Sequence, residues 1–227
     1  MPLVRVDEVS KTYREAAAVT PVLHAASLEL ASGETTSLVG VSGSGKSTLL
    51  GLIAGLMLPE SGRVVFDGQD ITDLDDTARA RLRSRRIGIV LQSGNLIPFL
   101  TAAENVELAI QLGGGGRAPA RATELLSELG LAGRRHHLPR RMSGGEAQRV
   151  SVAVALANEP DLLLADEVTG ELDSANAEQV MEVISDASRE RGLTVLFVTH
   201  SDELAARAPR RLRLVDGRVV NGGVGPV

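Results

Sequence analysis

Thr36-Ser37-Leu38-Val39-Gly40-Val41-Ser42-Gly43-Ser44-Gly45-Lys46-Ser47-Thr48 is a short apolar strand pattern running into G-x-x-x-x-G-K-S, with the helix-like stretch Lys46 to Leu56 directly behind it. Strand, glycine turn and helix, in that order, is the setting in which this motif holds phosphate. Glycine lets the backbone curl until successive N–H groups point inward, and the positive end of the following helix stands behind them. Gly40, Ser42, Gly43, Ser44 and Gly45 are therefore expected to wrap a polyphosphate. Lys46 is placed to bridge its β- and γ-phosphates, Ser47 to offer a hydroxyl to Mg2+, and Thr48 to neighbour the α-phosphate. By itself the loop fits kinases, GTPases, helicases and transport ATPases equally.

Outward from the loop, short apolar or β-branched runs alternate with stretches of helical spacing, as in a mainly parallel sheet covered on both faces. The expected strands are Thr36 to Val39, Ile87 to Leu91, Leu162 to Ala165 and Val195 to Thr199. The expected helices are Lys46 to Leu56, the segment around Ala122 to Leu129, Gly145 to Ala157 and Ala175 to Arg191. Val4 to Val9 and Val64 to Phe66 add strand-like pieces, and Leu212 to Val215 and Val219 to Val220 flank an Asp216-Gly217 turn. Leu112 to Pro119, with its run of glycines, is expected as a flexible link between helices. One copy of each motif predicts one nucleotide-binding unit.

A chain of 227 residues suits one large domain with subdomains. Three Phe, one Tyr and no Trp offer no general stacking surface for bases, and a net charge of −5 lacks the field of a dedicated nucleic-acid binder. No nucleic-acid partner is expected. The absence of cysteine excludes disulfides and thiolate metal sites. The opening MPLVRVDEVSKTY lacks the basic-then-apolar layout of a secretory signal, and the longest apolar run, Leu49 to Leu58, is about half the ~20 residues a membrane span needs. The chain is read as soluble, meeting a membrane only through a partner. Arg79, Arg81, Arg83, Arg85 and Arg86, behind Asp73, Asp75 and Asp76, read as the solvated face of a helix, and His136-His137 as loop surface.

Two carboxylates close the apolar run Leu162-Leu163-Leu164-Ala165-Asp166-Glu167. A strand buried on both faces delivers such residues at the carboxyl edge of its sheet, where Asp166 can hold Mg2+ through water and Glu167 can orient or deprotonate an attacking water. A pair standing alone would serve as well to cap the next element. Arg141-Met142-Ser143-Gly144-Gly145-Glu146-Ala147-Gln148-Arg149 is the decisive stretch. Ser143, Gly144 and Gly145 make a second donor-rich helix start, suited to an anion such as a γ-phosphate and equally readable as a serine-capped helix.

This stretch closely resembles the LSGGQ-type signature of ABC (ATP-binding cassette) ATPases, and the resemblance extends across nearly the whole chain. It implies an α/β fold: a P-loop NTPase core of mainly parallel sheet flanked by helices, with a small antiparallel β subdomain and a helical subdomain. It also implies a single ABC ATPase domain over 1–227, with the nucleotide-binding core and β subdomain at about 1–92 and 159–227 and the helical, signature-bearing part at about 93–158. Tyr13 looks like the ring that stacks on adenine, although a lone tyrosine fits a surface position equally. Gln92 is similar to the glutamine that touches Mg2+ and water and senses the transporter. Gly170-Glu171-Leu172-Asp173 resembles the D-loop, whose Asp173 contacts the opposing subunit, and His200 the histidine that bonds the γ-phosphate.

LQSGNLIPFLTAAENV (Leu91 to Val106) and ADEVTGELDS (Ala165 to Ser174) resemble the subgroup serving lipoprotein release, macrolide or peptide export and cell division. Val168 stands where that subgroup ordinarily carries proline, and Gly94 where an aromatic residue is expected; Ala147 and Val154 replace polar or basic residues. None of these removes a catalytic group. The implied function is Mg2+-dependent ATP hydrolysis by a homodimer that closes on two ATP molecules, Ser143 to Glu146 of one chain completing the site of the other. Family logic adds a separate integral-membrane permease, with the cassette cytoplasmic and peripheral on the inner face of the membrane. The alternative is a cell-division-type regulator that signals through a membrane partner and transports nothing.

Overall fold

The computed structural model describes residues 1–15, 18–91, 96–116, 118–167 and 174–224. They form two compact units, one of Met1–Ala80 with Thr194–Val227 and the other of Arg81–Leu193.

The first unit opens with β1 (Pro2–Glu15) and β2 (Ala18–Ala31), paired antiparallel. Val4, Val6 and Val9 are buried from β1, and Leu23, Ala26, Leu28 and Leu30 from β2. In each strand the two-residue period slips by one, at Glu8 (φ 48°) and at Ala25 (φ 48°), and the pairing register shifts with it. Such bulges re-aim the strand while keeping its apolar face inward. They also hide β2 from a search for strict alternation, which is why that strand was not expected. β3 (Thr35–Val39), α1 (Lys46–Ile53), β4 (Ser61–Phe66) and β5 (Gln69–Asp70) follow, and the antiparallel sheet runs β2-β1-β4-β5. α1 stops short of the expected Leu56. Gly55 at φ 62° lets Leu56 N–H reach Gly51 O (2.9 Å) and Gly55 N–H reach Leu52 O (3.0 Å), a left-handed glycine stop.

The chain leaves this unit within α2 (Asp76–Arg86) and continues through β6 (Ile87–Val90), α3 (Ala102–Leu112), α4 (Ala118–Glu128), α5 (Gly144–Leu156), β7 (Leu162–Asp166) and α6 (Ser174–Arg191). β6 and β7 pair in parallel, Val90 opposite Ala165, and every residue of β7 is buried, as its unbroken apolar run requires. α3, α4 and α5 pack on one another, and Val106, Ile110, Ala122, Leu125, Leu126 and Val150 on them are buried. α3 is the helix that the expected link at Leu112 to Pro119 implies on its N-terminal side, and its start is marked by the capping box of Thr101 and Glu104, which the sequence T-x-x-E already contains. The glycine link closes α3: N–H groups of Gly113, Gly114 and Gly115 return to Ala109, Gln111 and Ile110 carbonyls. One arginine of the run departs from the solvated-face expectation. Arg79 is 7 % exposed, its guanidinium bonded to Leu74 O and to Asp76.

Asn105 ties down the chain entering α3. Its Oδ1 accepts from Ile97 N–H at 2.8 Å, and its Nδ2 donates to Leu100 O and Thr101 O at 3.0 and 2.9 Å. Asn105→Ala removes the side-chain partners of half-buried backbone groups at Ile97 and Leu100, while Thr101 O keeps the Asn105 N–H, and should cost about 1 kcal/mol. Urea unfolding followed by circular dichroism measures it.

Back in the first unit, β8 (Thr194–Val198), α7 (Asp202–Ala206), β9 (Arg210–Val215) and β10 (Arg218–Val224) complete the chain. β3 lies between β8 and β9, parallel to both, and β10 returns antiparallel to β9. This part of the sheet is parallel at β8, β3 and β9, as expected of the core, and the β9–β10 hairpin lies around the expected Asp216-Gly217 turn. Ser37 Oγ on β3 donates to Ala205 O at 3.1 Å, fastening α7 to it.

Candidate nucleotide site

The phosphate loop sits at the carboxyl end of β3 and opens α1. Gly45 is the N-cap of α1, with φ 101° and no side-chain cap, so the helix start keeps its positive end open to an anion. A Cβ at Gly45 would also come within 2.7 Å of Val22 Cγ1, so both backbone and space demand glycine there. Lys46 is 6 % exposed, and its ammonium donates to Gly40 O and Val41 O, each at 2.9 Å. The lysine is thereby folded over the crown of its own loop. Ser44 Oγ is shielded from solvent and has no hydrogen-bond partner, which fits a group meant for a phosphate oxygen. Ser42, Gly43 and Ser47 are exposed at the loop surface.

Tyr13 reaches this loop from β1. Its hydroxyl lies 3.4 Å from Thr48 Oγ1 and 3.5 Å from Met57 Sδ, and the residue is 38 % exposed. Half-exposed beside the first turn of α1, the ring is open for stacking. His200 follows β8, whose Val198 pairs with Leu38, so the histidine leaves the sheet at the same edge as the phosphate loop. It is exposed. Tyr13, Gly40 to Thr48 and His200 are therefore gathered in one unit.

In the other unit, Asp166 ends β7 with only 9 % exposure, and Glu167 follows it in a left-handed backbone conformation, φ 53°. A non-glycine residue held there carries about 1 kcal/mol of strain. Gln92, Gly94, Val168 and Asp173 lie outside the described residues.

The signature stretch forms the start of α5. Ser143 is the N-cap: its Oγ accepts from Glu146 N–H (3.2 Å), and its own N–H donates to Glu146 Oε2 (2.9 Å). Arg134, from a short 3-10 turn upstream, donates its Nε–H to Glu146 Oε1 at 2.7 Å. Nothing in the sequence singles out Arg134, because a long loop can bring any of several arginines to that carboxylate. The Ser143 N–H first, then the Arg134 guanidinium, hold the Glu146 carboxyl below its ordinary range. The lowered value sets the sign of a pH effect: the stabilisation is complete above the ordinary carboxyl pKa of 4.5 and is lost as pH falls through the depressed one. Urea midpoints measured from pH 7 downward should fall less steeply below that range for Glu146→Gln than for the unaltered protein.

A family model described as ABC transporter matches residues 23–170, and with it the phosphate loop, the signature and both carboxylates. The chain belongs to the ABC transporter family. The cassette is 42 % identical over 99 % of its length to the macrolide export ATP-binding/permease protein MacB of Syntrophobacter fumaroxidans, and spans about a third (32 %) of that relative. It is similar to MJ0796, a bacterial ABC transporter cassette solved as a dimer, with 40 % identity, a TM-score of 0.91 and coverage of 95 % and 96 % of the two chains. MJ0796 in a dimeric post-hydrolysis state, bound to ADP and Pi, matches with a TM-score of 0.94 and 38 % identity over 99 % of both chains. The fold of the cassette is thus that of an ABC ATPase cassette.

Proposed function

We propose that this cassette binds ATP with Mg2+, closes as a homodimer on two ATP molecules and uses their hydrolysis to drive a membrane permease. The observation that carries the reading is the phosphate loop: an uncapped helix start, a buried lysine ammonium over the crown and a shielded, unpartnered Ser44 hydroxyl. Lys46 and the loop amides take the β- and γ-phosphates, Ser47 and Asp166 hold Mg2+, Tyr13 stacks on adenine, and His200 steadies the γ-phosphate. Among the described residues no three His, Asp or Glu side chains form a metal cage. That suits Mg2+, which binds through phosphate oxygens, water and one or two protein ligands. Gln92 and Glu167 place the attacking water, and Asp173 meets the second subunit.

Ser143 to Glu146 complete the site of the opposing copy, which is why the cassette works as a dimer. No helix among the described residues is long and apolar enough to cross a membrane, so in this reading the cassette lies on the cytoplasmic face and is held there by the permease. Likeness to a macrolide export protein favours export, and the subgroup that the sequence resembles makes the substrate a drug-like molecule, a peptide or a lipoprotein. Affinity purification from detergent-solubilised membranes tests the partner: a co-purifying permease whose presence stimulates ATP hydrolysis supports it, and a cassette recovered alone counts against it.

A further inference from the structure

Resting on that reading, we propose that Arg134 is a positioning residue for ATP capture: by holding the Glu146 carboxylate it leaves the Ser143 hydroxyl proton unclaimed, ready for the γ-phosphate of ATP bound to a second copy. The helical unit contains its own control. Among the described residues two helices there start with a capping box, and the two boxes are wired differently.

At α3, Glu104 Oε2 accepts both from Thr101 N–H (2.7 Å) and from the Thr101 hydroxyl (2.8 Å). The threonine proton is consumed by the cap. At α5, Glu146 Oε2 accepts from Ser143 N–H (2.9 Å), but the second oxygen is taken by Arg134 at 2.7 Å, and the Ser143 hydroxyl makes no bond to the carboxylate. That hydroxyl accepts from Glu146 N–H. Thr101 Oγ1 likewise accepts from Glu104 N–H (3.3 Å) but spends its own proton on the carboxylate, whereas the Ser143 O–H, with no such bond, is left to donate outward, where the exposed Ser143 and Gly144 stand at the positive end of α5. A serine hydroxyl free to donate suits an incoming phosphate, whereas one already bonded to a carboxylate must exchange that bond first.

Arg134 is itself held in place. The carbonyls of Arg135 and His137, next to it in the chain, accept from Ala103 N–H (2.9 Å) and Ala102 N–H (3.0 Å) at the first turn of α3. Arg134 is nevertheless 48 % exposed at its side chain, and ion pairs so open to water add little stability. Its contribution is therefore orientation more than folding.

The test uses the full chain carrying Glu167→Gln, in which ATP should trap the dimer, with gel filtration at stepped ATP concentrations. Adding Arg134→Ala should raise the ATP needed for half-maximal dimer about fivefold, the worth of one typical hydrogen bond. Arg134→Lys should recover part of it. Tm should stay within about 2 °C, and binding of a fluorescent ATP analogue to the dilute monomer should not change. With Glu146→Gln also present, the effect of Arg134→Ala should fall below about twofold, because a neutral amide competes weakly for the serine proton. An unchanged ATP requirement in Arg134→Ala, or an equal loss with and without Glu146→Gln, overturns the inference. A parent that stays monomeric at saturating ATP instead overturns the ATP-sandwich reading, and the inference falls with it.

Discussion

Glu167→Gln is expected to lower ATP turnover by two to four orders of magnitude, the usual worth of a positioned general base, while leaving ATP binding intact. The side chain keeps its volume and its hydrogen-bonding oxygen but can no longer accept a proton from water. Folding should be spared, because glutamine meets the same left-handed backbone at this position, φ 53°, and bears the same strain. With hydrolysis blocked, bound ATP should hold two copies together through the phosphate loop of one and Ser143 to Glu146 of the other. Gel filtration should therefore show a dimer that forms with ATP and is absent with ADP. Wild-type turnover in the variant would remove Glu167 from the chemistry, and a variant that stays monomeric at high ATP would remove the sandwich.

Lys46→Ala should weaken ATP binding roughly a hundredfold or more and bring ATP hydrolysis to background, since it deletes the one fixed cation of the loop in a water-poor setting. The lysine is almost fully buried and its ammonium spans the carbonyls of Gly40 and Val41. A triphosphate that enters takes over that ammonium as a stronger acceptor. The alanine variant takes the ammonium from Gly40 O and Val41 O, of which Val41 O keeps Ser44 N–H (3.2 Å), so a modest fall in Tm should accompany the loss. Calorimetric titration with ATP separates the two effects, because a folded but non-binding protein gives no heat while keeping its unfolding transition. Undiminished ATP hydrolysis would refute the assignment of the loop.

Contiguous residues decide the parts of the site that were legible. The phosphate loop is a single stretch from Gly40 to Thr48, and its glycine positions follow from backbone angles and close contacts such as that of Gly45 with Val22. The capping geometry at Ser143 is likewise contained in four residues. Buried parallel strands announce themselves as unbroken apolar runs, and β7 lies where Leu162 to Ala165 predicted it, one residue longer. Strands with bulges fared worse, because one inserted residue at Ala25 breaks the two-residue period on which recognition depends.

Arg79 belongs with the less legible features. Its charge pattern argued for solvent, yet the turn at Leu74 and Asp76 supplies enough acceptors to bury a guanidinium. Local pattern ranks an arginine by average cost, whereas tertiary surroundings set the actual one.

An ATP-binding cassette with its phosphate loop, its signature and its paired carboxylates is written in short segments of this chain, since each depends on hydrogen bonds and dihedral angles among near neighbours. Which residues support those segments from afar is not. Tyr13 beside Thr48, Ser37 fastened to Ala205 and Arg134 bonded to the Glu146 carboxylate join positions that are not neighbours in the chain. Such partners are selected by how the chain returns on itself, and the energy of each pairing exists only once that return is made.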